Sequence, residues 1–426
     1  MDPLARGRTL GKSRVERPRV CHFGAFPVSE AYSRNICVAR ALAAGGWEVV
    51  ECRASNSGSP WRRAKSCARP LAMVGALCRL ARDWFALAIK HLRVPRYDVL
   101  LVGYPSHVDV FLAAVLAKWR RRPVVMDAFI GLYDTVVRDR GLVPERSLPA
   151  RVIRVWEWAA LRLADSVMVD TEEQADLLAR EYGLSRSRVF AAPVGIDERV
   201  WGPTPLPDRQ EEFRIAFWST FIPLHGVSVV AQAAAILDST GEAVRFEVIG
   251  DGQTAPEFAA ALDELKPRNI VWRRGFKCME EIVRLAARAH CCLGIMGTSG
   301  KASRVVPYKV YQALAAARPV ITADTAAARR VLTDSESALL VPPGDPEALA
   351  RAIARLARDW KLCNRLACEG RMAYEKYLSE DRLRETLDSE LRRVLARVHG
   401  GGQQNGPAAD ASACEQAREE DTADGL

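Results

Sequence analysis

Three basic side chains stand close together around a proline in the second half of the chain. Lys301, Arg304 and Lys309 flank Pro307, and residues 303–324 read SRVVPYKVYQALAAARPVITAD. Proline suits the first turn of a helix, because its missing N–H would have no partner there in any case. The positive end of such a helix and the three cations could hold an anionic group such as a diphosphate without a metal ion. The alternative is a buried helix whose basic side chains are solvated.

A glycine motif follows an apolar run further upstream. Residues 246–252 read FEVIGDG, so that Gly250, Asp251 and Gly252 stand at the carboxyl end of a candidate strand. Glycine allows backbone N–H groups to approach a ligand closely. The alternative is an ordinary turn from a strand to a helix, since short glycine motifs are weak signals.

The elements that must position these residues are short apolar runs alternating with helical patterns. The runs are aliphatic and bounded by turn residues, which predicts strands at 19–23, 47–52, 98–103, 123–127, 166–170, 188–191, 213–218, 244–250, 269–273, 290–296, 319–323 and 338–341. Helices are predicted at 31–44, 108–119, 149–163, 172–181, 346–359, 361–377 and 380–398. This alternation predicts parallel sheets with helices on both faces.

The predicted fold class is α/β, with two Rossmann-like, doubly wound parallel-sheet domains facing a cleft. Three prolines within residues 201–208, WGPTPLPD, exclude a central strand or a helix interior and predict a stiff linker. We predict a disordered N-terminus (1–18), a first domain (19–200), the linker (201–212), a second domain (213–377), a C-terminal helix (378–399) and a disordered acidic tail (400–426). Ligands of open α/β sheets bind at the carboxyl ends of the strands, which places the site in the cleft.

The net charge indicates which kinds of molecule could bind the protein, and the cysteine pattern indicates its cellular compartment. The net charge is +9; the tail from Gly400 holds one base and six acids, a net of −5, which leaves +14 for the rest of the chain. A basic body suits anionic partners, but the aromatic and basic motifs of nucleic-acid-binding modules are missing, so we expect no nucleic acid. The 11 cysteines form no Cys-x-x-Cys pair, and no signal peptide or spanning segment is visible. We therefore expect a cytoplasmic protein.

The stretch Trp61–Arg96 combines positive charge with an amphipathic pattern. It holds nine Lys or Arg residues and one acid, and its apolar residues recur at steps of three and four from Leu71 to Leu92. One interpretation is an interfacial helix that docks on anionic lipid at the inner face of the plasma membrane. The other is a helix that packs its apolar face on the core and leaves its basic face solvated.

Five segments of the sequence can be compared, by residue type and by order along the chain, with those of known protein families. They are VGIDERVWGP (194–203), FIPLHGV (221–227), FEVIGDG (246–252), PYKVYQALAAARPVI (307–321) and ALLVPPGDPEALARAI (338–353). In kind and order they resemble the conserved segments of the GT-B glycosyltransferases, specifically the retaining glycosyltransferase family 4. The resemblance covers roughly residues 20–377 and is densest in the C-terminal half.

The resemblance implies transfer of a hexosyl-type sugar with retention of configuration. A nucleotide-diphospho-sugar would bind to the second domain, and a glycan or lipid-linked acceptor to the first, in cell-envelope or exopolysaccharide biosynthesis. The sequence has no Asp-x-Asp motif, so neither a metal nor any other cofactor is expected. Such chemistry depends on neutralising the departing diphosphate more than on a strong base.

The same resemblance assigns roles to individual residues. Arg304 and Lys309 would act on the leaving diphosphate, and Asp127 would orient an acceptor hydroxyl unless it caps a turn. Gly24 and Arg34, in the loop after the first strand, would contact phosphate or acceptor, unless Arg34 is merely solvated. The expected donor contacts are Thr220, His225, Gly250, Asp251, Gly252, Lys301, Tyr308, Val310 and Gln312. We expect Tyr133, Asp134, Asp139 and Arg140 to shape the loop after Asp127.

Four positions depart from the family pattern. Thr220 and His225 stand where the family commonly has an Arg and a Lys that bind the diphosphate, and Arg304 and Gln312 replace its two glutamates. Gln312 can still bond ribose hydroxyls, although without the charge-assisted strength of a carboxylate. His225 could contact phosphate or be a satisfied loop histidine.

Three interpretations of these departures remain. A divergent subgroup could use Lys301, Arg304 and Lys309 on the phosphates, the donor sugar could be unusual, for example with an acid group, or the site could be inactive. The last would make the chain a catalytically degenerate protein of the same fold that binds a nucleotide or a glycan.

Overall fold

The computed structural model describes residues 17–28, 33–54, 70–209 and 212–400, which form two lobes with one six-stranded sheet each. The strands of the first lobe are parallel and lie in the order β2-β1-β3-β4-β5-β6. They are β1 (Arg19–Gly24), β2 (Glu48–Arg53), β3 (Val99–Val102), β4 (Val124–Asp127), β5 (Ser166–Val169) and β6 (Val189–Ala191). All four residues of β3 are fully buried, as in parallel sheets that are covered on both faces.

Helices cover both faces of this sheet. On one face, Val38 of α1 (Arg34–Ala44) packs with Val20 of β1. On the other face, α2 (Pro70–Leu92), α3 (Asp109–Arg120), α4 (Leu148–Leu163) and α5 (Glu172–Tyr182) share one hydrophobic cluster with β1. Their core-facing residues include Leu87 of α2, Ala113 of α3 and Ala160 of α4.

The second lobe repeats the architecture with strand order β12-β11-β10-β7-β8-β9, again parallel. Its strands are β7 (Phe213–Ser219), β8 (Val244–Gly250), β9 (Ile270–Arg274), β10 (Cys291–Leu293), β11 (Val320–Ala323) and β12 (Leu339–Val341). Its helices are α6 (Val227–Ser239), α7 (Ala255–Leu265), α8 (Met279–Ala287), α9 (Tyr308–Ala315), α10 (Ala326–Val331), α11 (Pro346–Arg358) and α12 (Trp360–Tyr377).

Side-chain caps set the beginnings of five helices. Ser147, Thr171, Thr325, Asp345 and Asp359 precede α4, α5, α10, α11 and α12, and each side chain accepts a hydrogen bond from a backbone N–H of the first turn. These N–H groups have no partner within the helix, so the caps stabilise the positions at which helices follow strands.

The last helix, α13 (Glu380–Gly400), returns from the second lobe to the first. Leu383, Leu387 and Leu391, four residues apart, are fully buried in the cluster that contains Val20. Trp47 Nε1 donates to Asp388 Oδ1 at 2.8 Å. The helix therefore fastens the two lobes together, and it extends two residues beyond the predicted end at residue 398.

The proline-rich linker is packed against the second lobe. Trp201 is buried and stacks on Trp218 of β7, with ring centroids 5.9 Å apart. Arg318, fully buried, donates to the carbonyl oxygens of Thr204 at 3.3 Å and Pro205 at 2.6 Å. The prolines restrict the backbone dihedral angles of the linker, and the Arg318 guanidinium holds the linker against the second lobe.

All twelve predicted strands are present, and their ends differ from the prediction by no more than three residues. The largest difference is at β10, which ends at Leu293 because the N–H of Ile295 donates to the Thr322 hydroxyl at 3.2 Å instead of continuing the ladder. The predicted disordered ends lie outside the described residues, apart from residues 17, 18 and 400, and so do residues 61–69 of the predicted amphipathic stretch. Across the described ranges, no helix combines the length and the apolarity that crossing a membrane would require.

Candidate active site

The two lobes touch where the loops after β4 and β5 meet the loop after β10. Arg304 Nη2 pairs with Asp134 Oδ1 at 2.7 Å, and Ser299 Oγ donates to Asp139 Oδ1 at 2.8 Å. The Thr171 hydroxyl donates to the carbonyl oxygen of Arg304 at 2.6 Å. These loops follow the carboxyl ends of strands, so the junction lies at the predicted cleft.

On the first lobe, the junction is formed by a π-helical turn, Asp134–Asp139, between β4 and α4. π-Helical turns are rare in proteins, and those that occur often lie at functional sites. Asp134, Thr135 and Asp139 are buried, and burial raises the pKa of Asp139. Gln253 of the second lobe donates to the carbonyl oxygen of Arg140, immediately after the turn, at 2.7 Å. The residues expected to shape this loop thus form part of the lobe contact.

Lys301 and Arg304 both lie at the junction, but each has a partner in the first lobe. Lys301 Nζ is buried and donates to the Thr135 hydroxyl. Burial lowers the pKa of Lys301, while nearby Asp139 and Asp134 act in the opposite direction. Arg304 pairs with Asp134, so that both cations connect the two lobes.

Lys309 is different from the other two cations. It lies in the first turn of α9 and is buried, and its Nζ has no hydrogen-bond partner among the described residues. Its ammonium group stands 4.1 Å from the ring centroid of Phe217 in β7, a cation–π contact. Burial lowers the pKa of Lys309 well below its usual range. A buried amine without an acceptor is costly, and such groups concentrate at functional sites.

His225 stands near Lys309, in the loop after β7. Its Nδ1 accepts from the N–H of Ile222 at 3.3 Å and shares a hydrogen bond with the Ser219 hydroxyl. Burial lowers the pKa of His225 well below its usual range, and the positive charges of Lys309 and Arg140 lower it further. Burial therefore favours a neutral ring with its proton on Nε2, and the predicted phosphate contact would be made by that neutral donor.

The glycines of the Gly-Asp-Gly motif are required by backbone packing. A Cβ at Gly250 would overlap the carbonyl oxygen of Ser219, and one at Gly252 would overlap that of Thr220. Asp251 accepts from the N–H of Gly252 at 2.9 Å and pairs with Arg274 at 3.1 Å. The motif thus supports the loop that carries the exposed Thr220 and the buried His225, and the simpler prediction of a strand-to-helix turn describes its geometry.

Three further residues of α9 that were predicted to bind the nucleotide-sugar donor are engaged by other parts of the protein. Gln312 is buried, and its Oε1 accepts from Trp218 Nε1 at 2.8 Å, so its carbonyl is engaged. The Tyr308 hydroxyl shares a hydrogen bond with Ser33 of the first lobe. Val310 is 1% exposed and belongs to the hydrophobic core, where its side chain cannot line the cleft surface.

Arg34 and Asp127 form a buried bidentate ion pair, which corrects the roles predicted for both. Arg34 Nε lies 2.7 Å from Asp127 Oδ2 and Nη2 lies 3.0 Å from Oδ1. The Phe129 N–H also donates to Oδ1 at 3.1 Å, and the Arg34 guanidinium lies 4.6 Å from the Phe129 ring centroid. Asp127 thus accepts hydrogen bonds on both oxygens, which favours a structural ion pair over the predicted contact with an acceptor hydroxyl, and Arg34 is buried rather than solvated.

Gly24 ends β1 beside α3 rather than at an open phosphate loop. The N–H of Ala25 donates to Asp109 Oδ2 at 2.6 Å, and a Cβ at Gly24 would lie 3.2 Å from the same oxygen. Its φ of +139° also disfavours other residues. Gly24 therefore allows the chain to turn close to the start of α3.

No cluster of three or more His, Cys, Asp or Glu side chains suited to a metal ion occurs within the described ranges. The cations of the junction are the groups there that can attract an anionic ligand.

Comparison with known families identifies both lobes. Residues 30–195 match the Glycosyl transferase 4-like domain, and residues 212–359 match Glycosyl transferases group 1. The chain belongs to the group 1 glycosyltransferases. This confirms the group 1 glycosyltransferase assignment that the five sequence blocks indicate, while the retaining family 4 stays a prediction.

Relatives of this glycosyltransferase support the assignment. The putative colanic acid biosynthesis glycosyltransferase WcaL of Escherichia coli is 22% identical over 289 residues, which covers 65% of this chain and 69% of WcaL. Sucrose-phosphate synthase of Thermosynechococcus elongatus superposes with a TM-score of 0.67 at 17% identity, over 89% of this chain and all of that one. HepE of Anabaena, solved with UDP and glucose, gives 0.61 at 16% identity, over 88% and 100%. The two structures confirm the GT-B fold.

The sequence analysis missed Asp170 in this glycosyltransferase. It follows β5 directly, and Asp127 is the last residue of β4, so an Asp at the carboxyl end of both strands was the available signal. Asp170 is buried, its Oδ1 has no partner in the described part of the chain, and burial raises its pKa to about 7. The charges of Arg34 and Lys301 oppose that rise, so Asp170 lies between the buried ion pair and the lobe junction.

Proposed function

We propose that this glycosyltransferase moves a hexosyl-type sugar from a nucleotide-diphospho-sugar to a glycan or lipid-linked acceptor, with retention of configuration and without a metal ion. The single observation that carries the proposal is Lys309, a buried amine without a hydrogen-bond partner among the described residues, close to His225. HepE was solved with UDP and glucose, and WcaL is named for colanic acid biosynthesis, which supports a nucleotide-sugar donor and a role in polysaccharide assembly.

Lys309 would act on the leaving diphosphate. Charge accumulates on that group as the sugar departs, and a preorganised cation in a water-poor site stabilises it more than a solvated one does. An anionic ligand would also favour the protonated form of Lys309, against the effect of burial. Donor binding should therefore be coupled to uptake of a proton.

Lys301 and Arg304 would join Lys309 only by exchanging partners. Their present contacts, Thr135 and Asp134, belong to the first lobe. A diphosphate could replace these contacts as a charge-assisted acceptor. We propose that the donor thereby alters the contact between the lobes, with Thr220, His225, Tyr308 and Gln312 around it.

The remaining partners are also part of the proposal. We place the protein in the cytoplasm, at the inner face of the plasma membrane, and propose an anionic membrane surface as the partner of the stretch Trp61–Arg96. The Lys and Arg residues of that stretch that the structure describes are all exposed: Arg79, Arg82, Lys90, Arg93 and Arg96. We assign no nucleic-acid partner.

The alternative is a catalytically degenerate protein that binds a nucleotide or a glycan. It is favoured by three predicted catalytic or donor residues that already have protein partners: Asp127 with Arg34, Arg304 with Asp134, and Gln312 with Trp218.

Thermal unfolding of the purified full chain with UDP-, GDP-, ADP- and CDP-linked sugars tests the proposal. A ligand at 100 times its dissociation constant stabilises the folded state by about 2.7 kcal/mol. We expect one nucleotide class to raise the unfolding temperature, and the corresponding donor to be hydrolysed or transferred. Binding without any turnover would support the alternative, and no stabilisation by any ligand would refute the proposal.

A further inference from the structure

Three neighbouring helices of the first lobe expose an unusual number of large apolar side chains. Of the 23 exposed large hydrophobic residues in the described part of the chain, 13 lie on α2, α3 and α4. They are Val74, Leu77, Phe85, Ile89, Leu92, Val115, Trp119, Leu148, Val152, Val155, Trp156, Trp158 and Leu163. Large apolar surfaces on soluble proteins mark places where another molecule binds.

The three helices form one continuous surface. Trp84 of α2 donates to Asp109 of α3 at 3.1 Å, and the Phe111 ring of α3 packs 4.6 Å from the Trp156 ring of α4. All three cover the same face of the first sheet. We call their outward side the three-helix face.

The apolar stripe of α2 belongs to this face. It includes Val74, Leu77 and Phe85, all exposed, whereas Leu87 and His91 point into the lobe and are fully buried. The interpretation that the stripe packs on the core is therefore wrong for these residues. The side of α2 that packs on the core is the one that carries Leu87 and His91.

The charge of the three-helix face is positive. The three helices carry eight Lys or Arg residues and three acids. Asp109 and Glu157 are buried, and Asp83, with 13% of its side chain exposed, pairs with Arg82 at 3.0 Å. An apolar surface with basic residues and almost no accessible acid matches the interface of an anionic bilayer.

The face also reaches the cleft. Helices of a parallel α/β lobe begin at the edge where the strands end. Accordingly, Asp109 at the start of α3 accepts from Ala25, just after β1, and Leu148 at the start of α4 is 73% exposed. A substrate anchored in a membrane under this face would therefore lie beside the site.

We propose that the three-helix face lies on an anionic phospholipid bilayer, and that the acceptor is consequently lipid-linked. This rests on the proposed transfer reaction and extends the membrane contact from the stretch Trp61–Arg96 to α3 and α4. The bilayer accounts for the apolar and the basic residues together.

A second copy of the chain fits this face less well. A two-fold symmetric dimer would bring the same surface of both copies together. Basic residues would then face basic residues without accessible acids to pair with, which is unfavourable.

Flotation with vesicles of phosphatidylcholine, alone or mixed with phosphatidylglycerol, tests the proposal on the purified full chain. We expect binding to the mixed vesicles that weakens with added salt. Phe85→Ser on α2, and Trp119→Ser combined with Val155→Ser on α3 and α4, should each lower the bound fraction about tenfold or more, since each removes buried apolar area. Phe276→Ser is the matched control, because Phe276 is 72% exposed on the second lobe and Phe85 is 69% exposed.

The outcomes separate this inference from the reaction. Stabilisation by nucleotide-sugars should be unchanged in every variant, which also shows that each is folded. Equal flotation of the wild type and the α3–α4 variant, no flotation of the wild type, or a dimer that Trp119→Ser dissociates would each overturn the three-helix face. Loss of nucleotide stabilisation in the wild type would instead refute the proposed reaction.

Discussion

Replacing Lys309 by Met should stabilise the protein and impair it as an enzyme at the same time. The Lys309 ammonium is buried against Phe217 without a hydrogen-bond acceptor, and leaving such a donor unsatisfied costs about 1–3 kcal/mol. Met has a similar length and no charge, so Lys309→Met should recover about that amount. For a domain of this size, the unfolding temperature should rise by about 2–4 °C for each kcal/mol.

The same substitution should lower transfer at least tenfold, a loss of about 1.4 kcal/mol of transition-state stabilisation. It is measured as product formation per enzyme at saturating donor. Opposite signs for stability and activity distinguish a ligand-binding cation from a structural one, whose removal would lower both. Lys277→Met is the matched control, because Lys277 is exposed on the same lobe and should change neither quantity.

The stability difference should also depend on pH. Burial lowers the pKa of Lys309 in the folded state, so between that pKa and the ordinary value of 10.5 the unfolded chain binds more protons. The free energy of unfolding of the wild type must then rise as the pH rises through this window. The extra stability of Lys309→Met over the wild type must shrink over the same range. A variant that is less stable than the wild type and transfers sugar at an unchanged rate would refute the reasoning.

Three further substitutions test the packing around the site. Arg34→Met should destabilise the protein by about 3–5 kcal/mol in urea unfolding, because Asp127 is left charged and unpaired; an equally stable variant would mean that the pair is not buried. Asp170→Asn removes a carboxyl group whose pKa burial raises to about 7, so that the folded state holds a proton which the unfolded chain releases. Wild-type thermal stability should therefore fall, relative to the variant, as the pH rises from about 4 to about 7, and parallel curves would contradict this. Gly252→Ala should cost about 1–3 kcal/mol, since its Cβ overlaps the Thr220 carbonyl; an unchanged urea midpoint would show that the loop can shift.

Local pattern was enough to predict the strands of both sheets, although it missed helices of the second lobe such as α6 and α7. The residues of β3 are all buried, so the strand appears in the sequence as an uninterrupted apolar run between polar segments. Pro307 and Pro319 likewise bracket α9 correctly, because proline cannot lie inside a helix. The helix ends at Ala315, since Ala317 takes a positive φ of 55° before the next strand.

The sequence did not show how the predicted cations are paired, and their role in the site stays a prediction. The sequence pointed to Lys301, Arg304 and Lys309 near the cleft, and the structure brings Lys301 and Arg304 to the lobe junction and places Lys309 near His225. It did not show which cation has a partner. Arg304 pairs with Asp134, 170 residues away, and no spacing rule connects two positions in different lobes.

The sequence by itself determined the αβ alternation, the two sheets and the positions of the glycines and basic residues, because these depend on neighbours within a few turns of the chain. The tertiary structure alone decided that Arg34 neutralises Asp127, that Lys309 remains without an acceptor, and that the apolar side of α2 faces outward. Burying a charge or an apolar side chain changes its free energy only through the groups that packing brings around it, and those groups come from distant parts of the chain.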